Sequence, residues 1–135
     1  MHSVLLVDDE PFVRLSLASL CPAGAGFDLT AEAGNGAEAL AVLADRPEID
    51  IVLLDLSMPV MDGLEVLRRL RAEPPASPMA VIVLSAHDDY HLVRDAFTLG
   101  AVDYLLKHEL DAARPEAALS SAARSVSSSS SLLSR

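Results

Sequence analysis

A chain of 135 residues, 51% of them apolar and 22% charged, has a globular balance and the length of one domain, which excludes disorder as its main description. Asp and Glu number 20 against 10 Lys and Arg, a formal charge of −10, so the segment lacks a broad cationic field and is a poor candidate for direct nucleic-acid binding. The single cysteine, Cys21, excludes an internal disulfide framework or a multi-cysteine zinc site, and no apolar run reaches the roughly 20 residues of a membrane span.

The elements follow in chain order. Val4–Val7 reads as a buried strand, and Pro11–Leu20 as a helix with Phe12, Leu15 and Leu20 at helical spacing and Pro11 suited to the first turn. Leu29–Ala33 is a weaker strand. Ala37–Ala44, after Asn35-Gly36, reads as a second helix, and Ile51–Leu54 as the next strand. Leu64, Leu67 and Leu70 repeat along a third helix. Ala80–Leu84 is a strand, Leu92, Ala96 and Leu99 mark a helix before Gly100, and Val102–Leu105 is the last strand. Pro115, Leu119, Ala122 and Val126 mark a fifth helix. Near-continuous Val, Ile and Leu in the strands requires cover on both faces, the signature of a parallel sheet between helices. The fold predicted is therefore α/β, a doubly wound five-stranded sheet, over residues 1–124. Residues 125–135 form a Ser-rich tail, with Ser127 to Ser131 unbroken; it reads as a linker to a domain outside this chain, with Leu132 and Leu133 leaving a continued helix open. The short run after Met1-His2-Ser3 is not a signal peptide, so the expected location is the cytoplasm.

In such folds, sites lie outside the carboxyl ends of the strands. Those ends carry Asp8, Asp9 and Glu10, then Asp55, then Ser85, then Lys107, which is the only lysine in the chain. Each has a plain structural reading: acids at a helix start, a loop Asp, a helix-capping Ser, a solvated Lys. Together Asp8, Asp9, Asp55, Ser85 and Lys107 describe a pocket of three carboxylates, a hydroxyl and an ammonium. Two like charges ~4 Å apart repel by about 4 kcal/mol at an effective dielectric of 20, so the pocket calls for a cation. Oxygen ligands favour Mg²⁺. A carboxylate beside Mg²⁺, Lys and a hydroxyl is equipped to accept a phosphoryl group.

The motifs resemble, over nearly the whole length, the receiver domain of two-component response regulators. They are Leu5-Leu6-Val7-Asp8-Asp9-Glu10-Pro11, Gly34-Asn35-Gly36-Ala37-Glu38-Ala39-Leu40, Asp55-Leu56-Ser57-Met58-Pro59-Val60-Met61-Asp62-Gly63, Leu84-Ser85-Ala86 and Gly100-Ala101-Val102-Asp103-Tyr104-Leu105-Leu106-Lys107. The resemblance implies a flavodoxin-like strand order of 2-1-3-4-5. It implies that Asp55 is the phosphoacceptor, loaded by a partner sensor histidine kinase. It implies Mg²⁺ bound by Asp8, Asp9, Asp55 and the Ser57 backbone carbonyl. Lys107 would pair with the acceptor and the phosphoryl oxygens, Ser85 would move onto the phosphoryl group, and Tyr104 would swing inward behind it. Ser57 and His87 fall where the family tunes dephosphorylation. The fourth helix, fifth strand and fifth helix form the family's output face, often a homodimer contact. Family members often carry a DNA-binding domain after such a linker, so transcription regulation is the expected setting. One departure stands out: His108 follows Lys107 where the family usually has Pro, and a non-proline cis bond costs ~2.5–4 kcal/mol, so a trans bond is expected.

Three other readings compete. His87 and His91, four apart, have the spacing of a zinc pair, but Asp88 stands where a hydrolase would have Glu. Haloacid-dehalogenase-type phosphatases use a similar set of groups, but with the nucleophile after the first strand and a second Asp two residues on. Here Asp55 ends the third strand and Ser57 follows. A degenerate receiver would lack part of the set Asp8, Asp9, Asp55, Ser85 and Lys107. The expected function is a phosphorylation-controlled signalling module, not a metabolic enzyme.

Overall fold

The computed structural model describes residues 2–19, 26–75, 77–86 and 89–107, together with 119, 122–124 and 126. Strands and helices alternate as β1 (His2–Val7), α1 (Pro11–Ser19), β2 (Phe27–Ala33), α2 (Gly36–Asp45), β3 (Ile49–Asp55), α3 (Gly63–Ala72), β4 (Ala80–Ser85), α4 (Tyr90–Thr98) and β5 (Asp103–Leu106). Positions 119, 122–124 and 126 are helical as well. All strand pairs are parallel, in the order β2-β1-β3-β4-β5. This is the doubly wound sheet that the strand pattern predicts, in the order that the resemblance implies. Cys21, His87, His108 and the Ser-rich run 127–131 lie outside the described residues.

The pleat explains the two cores. Alternate residues of a strand face opposite sides. In β3, Val52 and Leu54 join Ala39 of α2, Leu64 and Leu67 of α3 and Ala96 of α4 on one face. Ile51 and Leu53 join Leu17 of α1 with Leu119, Ala122 and Val126 on the other. Val126 thus belongs to a core although it falls within the Ser-rich stretch of the sequence.

The first helix departs from expectation. Its periodic residues Phe12 and Leu15 point to solvent, Phe12 with 77% of its surface exposed, while Leu17 is buried and Val13 and Ala18 pack beside it. Both sets fit a 3.6-residue period, so periodicity alone cannot choose between them. The sheet takes the face with Leu17. In β2 the strand begins two residues earlier than predicted, because Phe27 and Asp28 pair with His2 and Ser3.

Caps and glycines then fix the loops at the carboxyl rim. Asn35 caps α2 by accepting the Glu38 N–H at 2.9 Å, and Asp62 caps α3 by accepting the Glu65 N–H at 2.9 Å. A Cβ on Gly63 would collide with the Asp55 carbonyl oxygen, and one on Gly36 would meet the Met61 carbonyl oxygen at 2.5 Å. Both helices can therefore approach the end of β3 only through glycine.

Between those caps, Met61 N–H donates to the Pro59 carbonyl at 2.7 Å across Val60, whose φ is +69°. That is a γ-turn of the rare, positive-φ kind, occupied by a β-branched residue that disfavours it. Val60 is 84% exposed, so packing does not compensate for the strain. Val60→Asn is expected to stabilise the chain by about 1 kcal/mol, read as a higher urea midpoint at unchanged slope. A lower midpoint would show that the valine makes contacts worth more than its strain.

Candidate functional site

Four strand ends meet at one rim. Asp8 follows β1, Asp55 closes β3, Ser85 closes β4, and Lys107 follows β5. Asp8, Asp55 and Ser85 are buried, while Asp9 is exposed. The ladder brings them together, since Asp55 pairs with Leu84 in the β3–β4 register and Ser85 with Leu106 in the next.

Lys107 lies at the centre. Its Nζ donates to Asp55 Oδ2 at 2.9 Å and contacts Asp8 Oδ2 at 3.0 Å, with only 18% of its side chain exposed. The Asp8 contact is close but poorly aligned, so Asp8 Oδ2 has no hydrogen-bond partner among the described residues. Glu10 Oε1 stands 3.6 Å from the same ammonium. Main-chain donors hold the other carboxylate oxygens: Ser57 N–H donates to Asp55 Oδ1 at 3.1 Å, and Glu10 N–H to Asp8 Oδ1 at 2.9 Å.

Burial dominates the electrostatics. It pushes the Asp55 carboxyl up from 3.8 to about 6, against the opposing pull of Lys107 and the Ser57 N–H and with a further push from Asp8. Burial likewise raises Asp8, although the Glu10 N–H and Lys107 act against it. For Lys107 burial works in the lowering direction, but Asp55 and Asp8 outweigh it and hold the ammonium above its ordinary value. The lysine stays charged, and the site keeps an excess of carboxylate.

Asp8, Asp9 and Asp55 each offer an oxygen, and the three lie within 4.8 Å of one another. That all-oxygen set is the kind that suits a small hard divalent cation. Ser85 Oγ is buried with no hydrogen-bond partner among the described residues, so the cleft retains an unused donor beside Asp55. Both features fit a site built to receive a cation and an anionic group together.

The remaining candidates are more dispersed. Ser57 is exposed in the loop after Asp55. Tyr104 is 44% exposed, its ring edge-on to Phe97 at 6.2 Å. With Ser85, Val93, Phe97 and Leu106 it lines a cavity of about 360 Å³. His91 is exposed on α4, outside the acidic group, while His87 lies outside the described residues. Sequence reading missed the approach of Glu10 to Lys107, although three consecutive acids before Pro11 carried the signal.

No helix among the described residues is long and apolar enough to cross a membrane. The family model for the response regulator receiver domain matches residues 4–118. The positive alginate biosynthesis regulatory protein of Pseudomonas aeruginosa is 48% identical over 108 residues, covering 78% of this chain and 41% of that protein. The signal receiver domain of the response regulator NarL from Mycobacterium tuberculosis has a TM-score of 0.76 at 32% identity, over 90% of this chain and 95% of that one. CheY6 of R. sphaeroides, solved in complex with the P1 domain of CheA3, has a TM-score of 0.63 at 38% identity, over 78% of this chain and 81% of that one. The first curated relatives are longer proteins, and the chain spans between 39% and 55% of their length.

The raised Asp55 pKa has a consequence for stability. The folded chain binds this proton more tightly than the unfolded chain, so the contribution is complete below 3.8 and is lost as pH rises through about 6. The full difference is on the order of 3 kcal/mol. Asp55→Asn removes the buried charge but also the Lys107 hydrogen bond. In EDTA at pH 7.5 the variant is expected to be more stable than wild type by about 1–2 kcal/mol, with the gap closing toward pH 4. Urea melts across that range check it; a gap that does not vary with pH would contradict the raised value.

Proposed function

The chain belongs to the response regulator receiver domains of two-component systems, and on that premise we propose that it accepts a phosphoryl group on Asp55 from a partner histidine kinase. The observation that carries this reading is the pairing of buried Asp55 with Lys107 at 2.9 Å, inside the Asp8–Asp9–Asp55 oxygen cluster.

In this reading a carboxylate oxygen of Asp55 attacks phosphorus in line. The new P–O bond forms as the P–N bond to the donor imidazole breaks, and the imidazole leaves with its electron pair and takes up a proton. Asp8, Asp9, Asp55 and the Ser57 carbonyl would hold Mg²⁺, which would supply positive charge to the phosphoryl oxygens. Lys107 is already oriented by two carboxylates and supplies a second positive charge. Ser85 turns its unused hydroxyl onto a phosphoryl oxygen. The Ser57 N–H on Asp55 Oδ1 leaves Oδ2 as the oxygen nearer Lys107, which orients the nucleophile. Ser57 and His87 tune how long the phosphoryl group persists.

Exposed Phe12 and Leu15 on α1 and Val60 on the β3–α3 loop support a macromolecular donor, because apolar side chains at the rim of an acidic cleft suit a protein surface. The similar CheY6 in complex with a CheA3 P1 domain supports a kinase domain as that donor. Withdrawal of Ser85 toward phosphate would open room in the cavity behind it, and Tyr104 would turn in from its exposed position. That repacking alters the face of α4, β5 and the following helix, the proposed site of homodimer or partner contact. The Ser-rich stretch beyond Val126, 127–135, would join the receiver to an output domain that acts on DNA, in a cytoplasmic transcription regulator.

Three outcomes test this reading. Acetyl phosphate with Mg²⁺ should add one phosphoryl mass, and EDTA or Asp55→Asn should abolish the addition. An Asp55→Asn chain that gains the mass at the wild-type rate would sink the assignment. Lys107→Arg should impair the phosphorylation-dependent response although charge is kept, because a planar guanidinium on a longer stem cannot replace a compact ammonium. Beryllofluoride with Mg²⁺ should increase self-association in sedimentation, less so in Tyr104→Ala. A switch from 1:99 to 99:1 would need about 5.5 kcal/mol, more than one hydrogen bond and one repacked ring supply, so the increase should be graded. An unchanged mass together with unchanged amide exchange across α4 and β5 would remove support for the switch.

A further inference from the structure

Asp8 lies one residue beyond the last β1–β3 ladder pair, Val7 with Leu54. Its N–H donates to the Ala33 carbonyl at 3.1 Å, and its Oδ1 accepts the Glu10 N–H at 2.9 Å. The main-chain carbonyl of this buried residue is past the ladder and needs a donor from elsewhere. Arg14 supplies it from one turn into α1. Its Nη1 donates to the Asp8 carbonyl at 2.5 Å, while Nε of the same guanidinium donates to Glu32 Oε1 at 3.1 Å. Glu32 is on β2, paired with Leu6 of β1. Arg14 N–H also donates to the Glu10 carbonyl at 3.2 Å, so this residue holds both ends of the acidic turn. The half-buried guanidinium lies beside Gly34, where a Cβ would stand 3.7 Å from Nη1.

We propose that Arg14 is a positioning residue for the cation site: by tying the Asp8 carbonyl to Glu32 it holds the β1–α1 turn where Asp8 and Asp9 converge with Asp55. Arg14 touches no carboxylate of the site and acts through the main chain of the turn. Its planar fork serves two acceptors at once, which an ammonium in the same place cannot do in the same geometry. The inference rests on the cation role proposed for Asp8 and Asp9, but the clamp itself does not.

Two readouts on the full chain separate the two. In EDTA, Arg14→Met should speed amide exchange at Glu10 by roughly tenfold or more, while Ile82 and Val83 in the centre of β4 exchange as in wild type. By calorimetry with Mg²⁺ alone, the same variant should bind roughly tenfold to a hundredfold more weakly. Arg14→Lys should recover part of both effects, and Glu32→Gln should weaken binding less than Arg14→Met. Unchanged Glu10 exchange in Arg14→Met would overturn the clamp. Faster Glu10 exchange with Mg²⁺ affinity within twofold of wild type would overturn its role in positioning the ligands. A wild-type chain that binds no Mg²⁺ would overturn the cation reading and with it this role.

Discussion

The Lys107 ammonium, held between two buried carboxylates, is the interaction on which the rest of the site depends. Asp8 and Asp55 come from strands adjacent in the sheet, and only this cation among the described residues reaches both. Removing the ammonium would leave both carboxylates buried and uncompensated, a loss that typically costs about 3–5 kcal/mol for a buried pair. The same arrangement is also frustrated, with more carboxylate than ammonium. That imbalance gives a cation and an anionic group a reason to enter. Stability and chemistry are therefore set against each other at the one place where the strand ends meet.

The sheet fixes this geometry through its registers. Leu84 opposite Asp55 and Leu106 opposite Ser85 bring Ser85 and Lys107 to the rim beside the Asp55 carboxylate, while cores on both faces keep the strands from sliding. The loops are held more locally. Asn35 and Asp62 cap two helices, and Gly36 and Gly63 let those helices close on the end of β3. The strand ends carry the charged groups, while α1 and the loop after β3 carry exposed apolar side chains, Phe12, Leu15 and Val60.

Much of this was legible in the residues. Unbroken runs such as Ile51–Leu54 can be buried on both faces only in a parallel sheet, and a polar residue ending each run is visible without coordinates. The first helix was not legible in the same way, because Phe12 with Leu15 and Val13 with Leu17 fit one period equally well. Val60 gave no sign of its positive φ, since valine is a residue that avoids it. Arg14 could not be found either: its partners are a main-chain carbonyl and a Glu 18 residues away, and neither leaves a pattern. The expectation of a cation came from the crowded carboxylates, which the oxygen cluster of Asp8, Asp9 and Asp55 fits, whereas the kinase assignment came from motif resemblance and leaves no mark in the geometry of the cleft.

Lys107 is the chain's only lysine, and it sits in the cleft with most of its side chain enclosed. An isotope confined to lysine would therefore give the folded chain a single labelled side chain. Its resonance would report directly on the pocket, with no substitution and no competing signals to assign. The chain carries its own spectroscopic probe at the point where the strand ends converge.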